Sequence, residues 1–439
     1  MEQDLQTTLL DLLLFRQANV VWVIGATALL SISAGLVGCF AFLRKSTLAA
    51  DAIAHAVLPG VCLAFMIGGT KNPVVLLIGA FVTGWLSIMV VSWLKANTKL
   101  KEDTAIAVVL SVFFGFGILL MTHIQQSGNA AQSGLDKFLF GKAAALIGVD
   151  VYVFGSLAVA LILMVLLLMK EFTLLSFDRQ YAQSLGMPVV LYEIILSSMT
   201  VLAVVVGIQA VGVVLMAAML ITPAAAARYW THSLPVMLVL AATFGLVSGA
   251  GGAMVSYLAP GLPTGPCMVL LITLIAILSI LFAPRRGVIA EFRLQRRHQI
   301  RILRENILKA FYQLAETDGR FDTPRSLQTL LDRRSFSGKP LDKMLRQMVA
   351  DKLLSPAAGS SDLGWILTPE GTNQGRRIVR LHRLWELYLT TELNLAPDHV
   401  HDDAETVEHI LTPELEARLE QLLNFPDLDP HGEAIPKRG

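Results

Sequence analysis

Between residues 19 and 284 the chain repeats one pattern: an apolar run long enough to cross a bilayer, then a short polar connection. Nine runs fit, at about 19–43, 47–69, 73–95, 104–124, 148–170, 189–208, 210–230, 235–258 and 264–284. A spanning helix needs about 20 mostly apolar residues. Inside hydrocarbon, every backbone polar group must be paired within its own helix or within a closed barrel. These runs are continuous rather than alternating, so they predict helices. The region 189–230 is nearly unbroken and is divided at Gly207–Gly212 (GIQAVG).

Charge separates two parts. Charged residues make up 16% of the 439, against 54% hydrophobic, which excludes an ordinary soluble enzyme. From about residue 290 onward charged residues become frequent and no run is long enough to span. The chain reads as an all-α polytopic membrane domain, residues 18–285, followed by a soluble tail of about 150 residues, enough to bury a core. The net charge of +1 says nothing about partners. Cys39, Cys62 and Cys267 all lie in apolar runs and read as small buried hydrophobes, not as a disulfide framework. Residues 1–17 lack a basic start and a small-residue cleavage site, so they read as an amphipathic helix on the membrane surface.

Basic residues set orientation. Arg44 and Lys45, then Lys95, Lys99 and Lys101, then Lys170 and Arg179, then Arg228, and finally Arg285 and Arg286 follow alternate runs. Nine spans place them all on one side, which the positive-inside rule makes cytoplasmic. The N-terminus and the loop 125–147 are then expected outside, and the tail inside.

Ionisable residues at membrane depth are functional candidates, because a charge there costs several kcal/mol. Asp51 and His55, in STLAADAIAHAVLPGVCLAF, stand one helical turn apart on one face. Carboxylate and neutral imidazole suit Mn²⁺, Fe²⁺ or Zn²⁺. Spacing alone equally allows a hydrogen-bonded pair that joins helices. Between the fifth and sixth runs, EFTLLSFDRQYAQSLGMPVVLYE (Glu171–Glu193) predicts a short amphipathic helix with a small Ala182/Gly186 face, ended by Pro188. It reads as a surface that a partner can push on, or as a plain loop.

These residues carry a resemblance. RKSTLAADAIAHAVLPGVCLAF, KEDTAIAVVLSVFFGFGILL, LDKFLFGK, SFDRQYAQSLGMPV and QAVGVVLMAAMLITPAAAARYW resemble, in order over about 10–285, the permease subunits of manganese/zinc/iron ABC importers. The resemblance implies that Asp51 and His55 line the metal pathway. It also implies that Phe177–Pro188 is the ATPase coupling helix, with Phe177, Asp178, Ala182 and Gly186 in its pattern. The implied partners are a cytosolic ATPase, an extracytoplasmic metal-binding protein and a second permease chain, in a bacterial cytoplasmic membrane. The chain has no Gly-x-x-x-x-Gly-Lys-Ser/Thr loop, so it binds no nucleotide of its own and is a transporter subunit rather than an enzyme.

The tail follows a linker helix, residues 286–302, within the basic stretch Glu291–Phe311. A helix over about 300–317 comes first. DTPRSLQTLLDRR predicts a second, capped by Asp322 or Thr323 with Pro324 in its first turn. In SGKPLDKMLRQMVADKLL, Leu341, Met344, Leu345 and Met348 recur at helical spacing, and Ser355–Gly371 reads as a hairpin with a Gly-rich tip. Three helices and a hairpin make a winged helix over 303–371, which suits DNA or protein. Lys339, Lys343, Arg346 and Gln347 occupy the positions that would meet phosphates.

In residues 372–439, His382 and Glu386 are i,i+4 on one helix, and His401, Glu405, Glu408 and His409 share one face of the next. A solvated helix face is one reading and a Mn²⁺ or Fe²⁺ site is the other. The stretch from Leu367 to Pro436 resembles the metal-binding and dimerisation domain of repressors of the diphtheria-toxin-repressor type. That resemblance, over about 303–436, implies that the six residues ligate a regulatory divalent metal, with Glu405 as in manganese-type members. Two further ligand positions hold Asn306 and Lys309 here. Lys309 cannot ligate while protonated, which weakens the implied metal-driven closure. The expected function is an importer permease whose tail senses arriving metal and damps import. The alternative is a tail released by cleavage near 285–300 as a metal-dependent repressor, and a third reading makes it only a brace for the dimer.

Overall fold

The computed structural model describes residues 18–69, 72–126, 148–259, 261–284, 286–333, 338–357, 364–393 and 413–437. Residues 1–17, most of the loop 125–147, and His401, Glu405, Glu408 and His409 lie outside the described residues. The chain divides into two compact units, Met1–Glu291 and Phe292–Gly439.

In the first unit the helices are α1 (Ala18–Leu43), α2 (Thr47–Gly68), α3 (Pro73–Asn97), α4 (Glu102–Gln126), α5 (Gly148–Leu167), α6 (Met169–Phe177), α7 (Arg179–Ser184), α8 (Val189–Val211), α9 (Val213–Trp230), α10 (Leu234–Leu258) and α11 (Thr264–Phe282). Among the described residues, nine of these are long and apolar enough to cross a membrane. The near-continuous apolar region breaks at Gly212, whose φ of 97° is open to glycine and strained for other residues.

Helix α1 is the hub. It packs along α10 and also against α9, α5 and α8. Close approach rests on small residues, as expected where hydrocarbon offers no hydrophobic drive between helices. A Cβ at Gly245 of α10 would lie 2.5 Å from the Ser31 carbonyl oxygen of α1. The core between the helices holds Val37, Phe40, Cys62, Phe154, Phe172 and Met219. Phe40 meets Phe172 edge to face at 5.5 Å. Trp93, Val112 and Leu119 turn outward and stay exposed, which fits a lipid-facing surface.

The second unit begins within α12 (Val288–Asp318). This helix is followed by β1 (Arg325–Ser326), α13 (Leu327–Arg333), α14 (Gly338–Ala350), β2 (Leu354–Pro356), β3 (Gly364–Leu367), α15 (Pro369–Thr391) and α16 (Pro413–Leu422). The sheet order is β1-β3-β2, antiparallel throughout, with Arg325 opposite Trp365 and Leu354 opposite Leu367. Leu308, Phe311, Leu330, Leu345, Met348 and Trp365 form its core.

One expectation is corrected here. Pro324 does not open a helix, because Arg325 and Ser326 pair with β3 as a strand. The Arg325 side chain is drawn inward, donating to Asp318 at 2.5 Å and to the Leu314 carbonyl at 3.2 Å. Helix α13 starts after it, and the Thr329 N–H donates to Ser326 Oγ at 3.2 Å. A strand-edge requirement set by residues 40 positions away outweighs the local capping signal.

Candidate metal pathway and coupling elbow

Helix α2 starts after the turn Arg44–Ser46, so Asp51 stands in its second turn and His55 in its third. His55 Nε2 lies 3.7 Å from Asp51 Oδ1, beyond hydrogen-bond length. The Asp51 side chain is 41% exposed and that of His55 17%, so the pair lies on an open face of α2. The imidazole packs edge-on to Phe114 of α4, with ring centres 4.8 Å apart. Its Nδ1 is buried and has no hydrogen-bond partner among the described residues. A buried ring nitrogen left unsatisfied is costly unless a ligand fills it.

Sequence reasoning passed over a second feature. Pro59 sits inside α2 and has no N–H, so the His55 carbonyl, four residues earlier, loses its helical donor. One residue thus presents a ring nitrogen and a main-chain oxygen that the helix leaves unmatched, beside a carboxylate. The signal was present in the sequence as a proline four residues after the histidine. On the opposite side, Gly60 meets α3, where a Cβ would lie 2.1 Å from the Gly79 carbonyl oxygen.

The stretch expected to form one short amphipathic helix between the spans is two, α6 and α7, and α7 lies within the predicted coupling segment Phe177–Pro188. Asp178 ends α6 and caps α7, accepting from the Tyr181 N–H at 2.9 Å. Ala182 is fully buried against Leu175 and Val189, and Gly186 turns the chain with φ 76°. Phe177, Tyr181 and Leu185 recur every four residues and are exposed. Glu193 of α8 ties this elbow down, accepting from Arg179 at 3.1 Å and from Arg44 at 3.4 Å. The elbow, the end of α1 and the start of α8 therefore meet at one end of the bundle. Sequence pattern alone does not pair residues 149 positions apart.

In the tail, His382 and Glu386 of α15 are both buried, with Nε2 and Oε1 3.0 Å apart. On α12, Asn306 Oδ1 is buried without a hydrogen-bond partner among the described residues, and Lys309 is wholly buried. Carboxylate and imidazole, as at His382 and Glu386, suit a hard or borderline divalent ion, while the Lys309 ammonium does not; among the described residues no group of three or more His, Cys, Asp or Glu could hold a metal ion. Near them Arg383 braces the fold. It donates to both Glu316 oxygens at 2.9 and 2.8 Å, to the Ala434 carbonyl at 2.6 Å and to Glu433. Burial works against its charge, but Glu316 and then Glu433 more than offset that, and its pKa is raised above the ordinary arginine value. On α14, Lys343, Arg346 and Gln347 are exposed, and Arg346 pairs with Asp342 at 3.1 Å.

Two family profiles match the chain: the ABC 3 transport family over residues 16–283, and the iron dependent repressor metal binding and dimerisation domain over 368–437. It is 40% identical over 378 residues to the manganese transport system membrane protein MntC of Bacillus subtilis (strain 168), covering 86% of each chain. It is 45% identical over 292 residues to the zinc transport system membrane protein TroC of Treponema pallidum (strain Nichols), covering 66% of this chain and 97% of that one. Among solved structures, PsaBC from Streptococcus pneumoniae in complex with Fab matches with a TM-score of 0.55 at 34% identity, over 60% of this chain and 91% of that chain.

Proposed function

The chain belongs to the ABC 3 transport family, and we propose that it is the permease subunit of an ATP-driven importer of a divalent transition metal, with a metal-sensing tail. The observation that carries this reading is the Asp51–His55 face. A carboxylate, an imidazole whose buried Nδ1 has no partner among the described residues, and a carbonyl without its helical donor lie within one turn of a spanning helix. The ion is the substrate, held briefly and passed on. Relatives named for manganese and for zinc bracket its identity.

Transport needs energy from a separate ATPase, which would seat on the elbow through Phe177, Tyr181 and Leu185. The Asp178 cap and the Arg179–Glu193–Arg44 pairs make that elbow stiff enough to transmit a push to α1 and α8. A second permease chain would close the pathway around the open face of α2, and an extracytoplasmic binding protein would deliver the ion.

The tail would bind arriving metal through His382 and Glu386, joined by His401, Glu405, Glu408 and His409. A regulatory coupling of about 1–3 kcal/mol shifts affinity roughly 5–150-fold, enough to damp import. The released-repressor reading gains no support from the fold, because α12 is helical from Val288 across the segment expected to be cut.

Radiolabelled manganese and zinc uptake, in cells lacking their own importers, tests both parts. Asp51→Ala and His55→Ala should abolish uptake, and wild-type uptake by either variant refutes the pathway. Glu386→Gln should leave uptake intact and remove its shut-off in metal-loaded cells. Normal shut-off in that variant refutes the sensor.

A further inference from the structure

On the side of α2 away from Asp51 and His55, an open groove of about 730 Å³ runs between α3 and α8. Its mouth is lined by three cations, Arg44, Lys95 and Arg179, and one acid, Glu193. Glu193 is shared between Arg44 and Arg179, and Lys95 pairs with Glu102 at 2.5 Å, so three cations meet two acids and the mouth keeps one net positive charge. Past the charges the lining turns apolar, with Met89 and Ile88 of α3 and Ile194 of α8. From Lys95 to Trp85 the groove follows α3 for ten residues, about 15 Å at helical rise. Trp85 forms the inner end, its indole N–H donating to Ser198 Oγ at 2.9 Å and linking α3 to α8.

Cations at one end of a groove and an apolar lining that continues into the spanning helices fit an amphiphile with an anionic head. We propose that this groove binds an anionic phospholipid, with the phosphate held by Lys95 and Arg179 and an acyl chain lying over Met89 and Ile194. A soluble anion would gain nothing from the apolar depth. An acidic protein segment would have to enter the hydrocarbon layer to use it. The lipid would sit beside Arg44 and Arg179, the residues that fix the coupling elbow, and so would hold that elbow in place.

The test uses the full chain, stripped of lipid in detergent and offered equal amounts of phosphatidylglycerol and phosphatidylcholine with the same acyl chains. Native mass spectrometry reads what is retained. Phosphatidylglycerol should be kept preferentially and should raise the unfolding temperature, while inorganic phosphate should do neither. A surface cation attracts an anionic head by about 1 kcal/mol, or about fivefold, so Lys95→Gln with Arg179→Gln should cost roughly 25-fold in retention. Ile194→Trp, which fills the apolar part and leaves the cations, should also lose the lipid while eluting and unfolding as the lipid-free wild type does. Equal retention of the two lipids overturns the proposal. So does stabilisation by inorganic phosphate alone, which marks a small-anion site. Unchanged lipid retention in both variants, with loss of ATPase co-purification, overturns it in favour of a subunit interface.

Discussion

Gly60→Ala tests how tightly the proposed metal-bearing face depends on the packing behind it. Gly60 lies on the side of α2 opposite Asp51, nine residues further along the helix. An added Cβ would stand 2.1 Å from the Gly79 carbonyl oxygen and 2.3 Å from Thr83 Oγ1. Carbon and oxygen need about an ångström more, and the first obstacle is backbone, which cannot rotate away. Helices α2 and α3 must therefore part, or α2 must bend. Overpacking of this kind costs about 1–3 kcal/mol. If the displacement is carried by α2, His55 moves against Phe114, on which its ring already rests. Loading the full strain on the site would weaken metal binding by up to roughly 150-fold. Uptake against metal concentration, together with thermal unfolding of the purified chain, measures both effects. Gly115→Ala on α4 is the control, since a Cβ there meets nothing within 4 Å, and it should be neutral or slightly stabilising. Wild-type stability and wild-type uptake in Gly60→Ala would refute the reasoning, as would equal damage in the control.

Pro59→Ala restores a donor to the His55 carbonyl, so it should raise helix stability, by up to about 3 kcal/mol on intrinsic propensity, and slow uptake. A more stable variant that transports normally would remove the carbonyl from the pathway. Asp178→Ala removes the cap of α7 at a cost of about 1 kcal/mol. Metal-stimulated ATP hydrolysis by the assembled importer should fall while the spans stay folded, and unchanged stimulation would show that the elbow needs no cap. The Tyr312 hydroxyl is held above its ordinary pKa of 10, first by burial and then by Glu316. The folded state favours the neutral phenol, and that advantage is complete below pH 10 and lost as pH rises through the folded value. Limited proteolysis should find the tail losing protection above pH 10, and Tyr312→Phe should lose less. Identical curves would contradict this.

What the sequence made legible was local or periodic. The nine spans, the break near Gly212 and the Asp51–His55 pair all follow from hydrophobic length, one glycine and one helical turn. The elbow was half legible, since its small face and Pro188 were visible while its division at Asp178 was not. That division depends on an aspartate serving as the end of one helix and the cap of the next. The Arg44–Glu193–Arg179 pairs, the Phe114 edge behind His55 and strand β1 were illegible, because each rests on a partner far along the chain. Pro59 stands apart. Its effect on His55 is a local consequence of a missing N–H, readable without coordinates.

The same chemistry, a carboxylate and an imidazole one turn apart, occurs in two settings, and the difference between them fits the two tasks proposed for them. At Asp51 and His55 the groups are 3.7 Å apart, the carboxylate is well exposed and one ring nitrogen has no partner among the described residues. In the proposed pathway an arriving ion would find a carboxylate still partly hydrated, and would bind and leave easily. At His382 and Glu386 the groups are 3.0 Å apart and both are nearly inaccessible. An ion binding there must displace an existing contact, and once seated it is shielded from water, where electrostatic attraction is stronger. A pathway must release what it binds, while a sensor must hold it long enough to change state. Exchanging the settings would defeat both: burying Asp51 would trap the ion, and exposing Glu386 would leave the tail filled only at high metal.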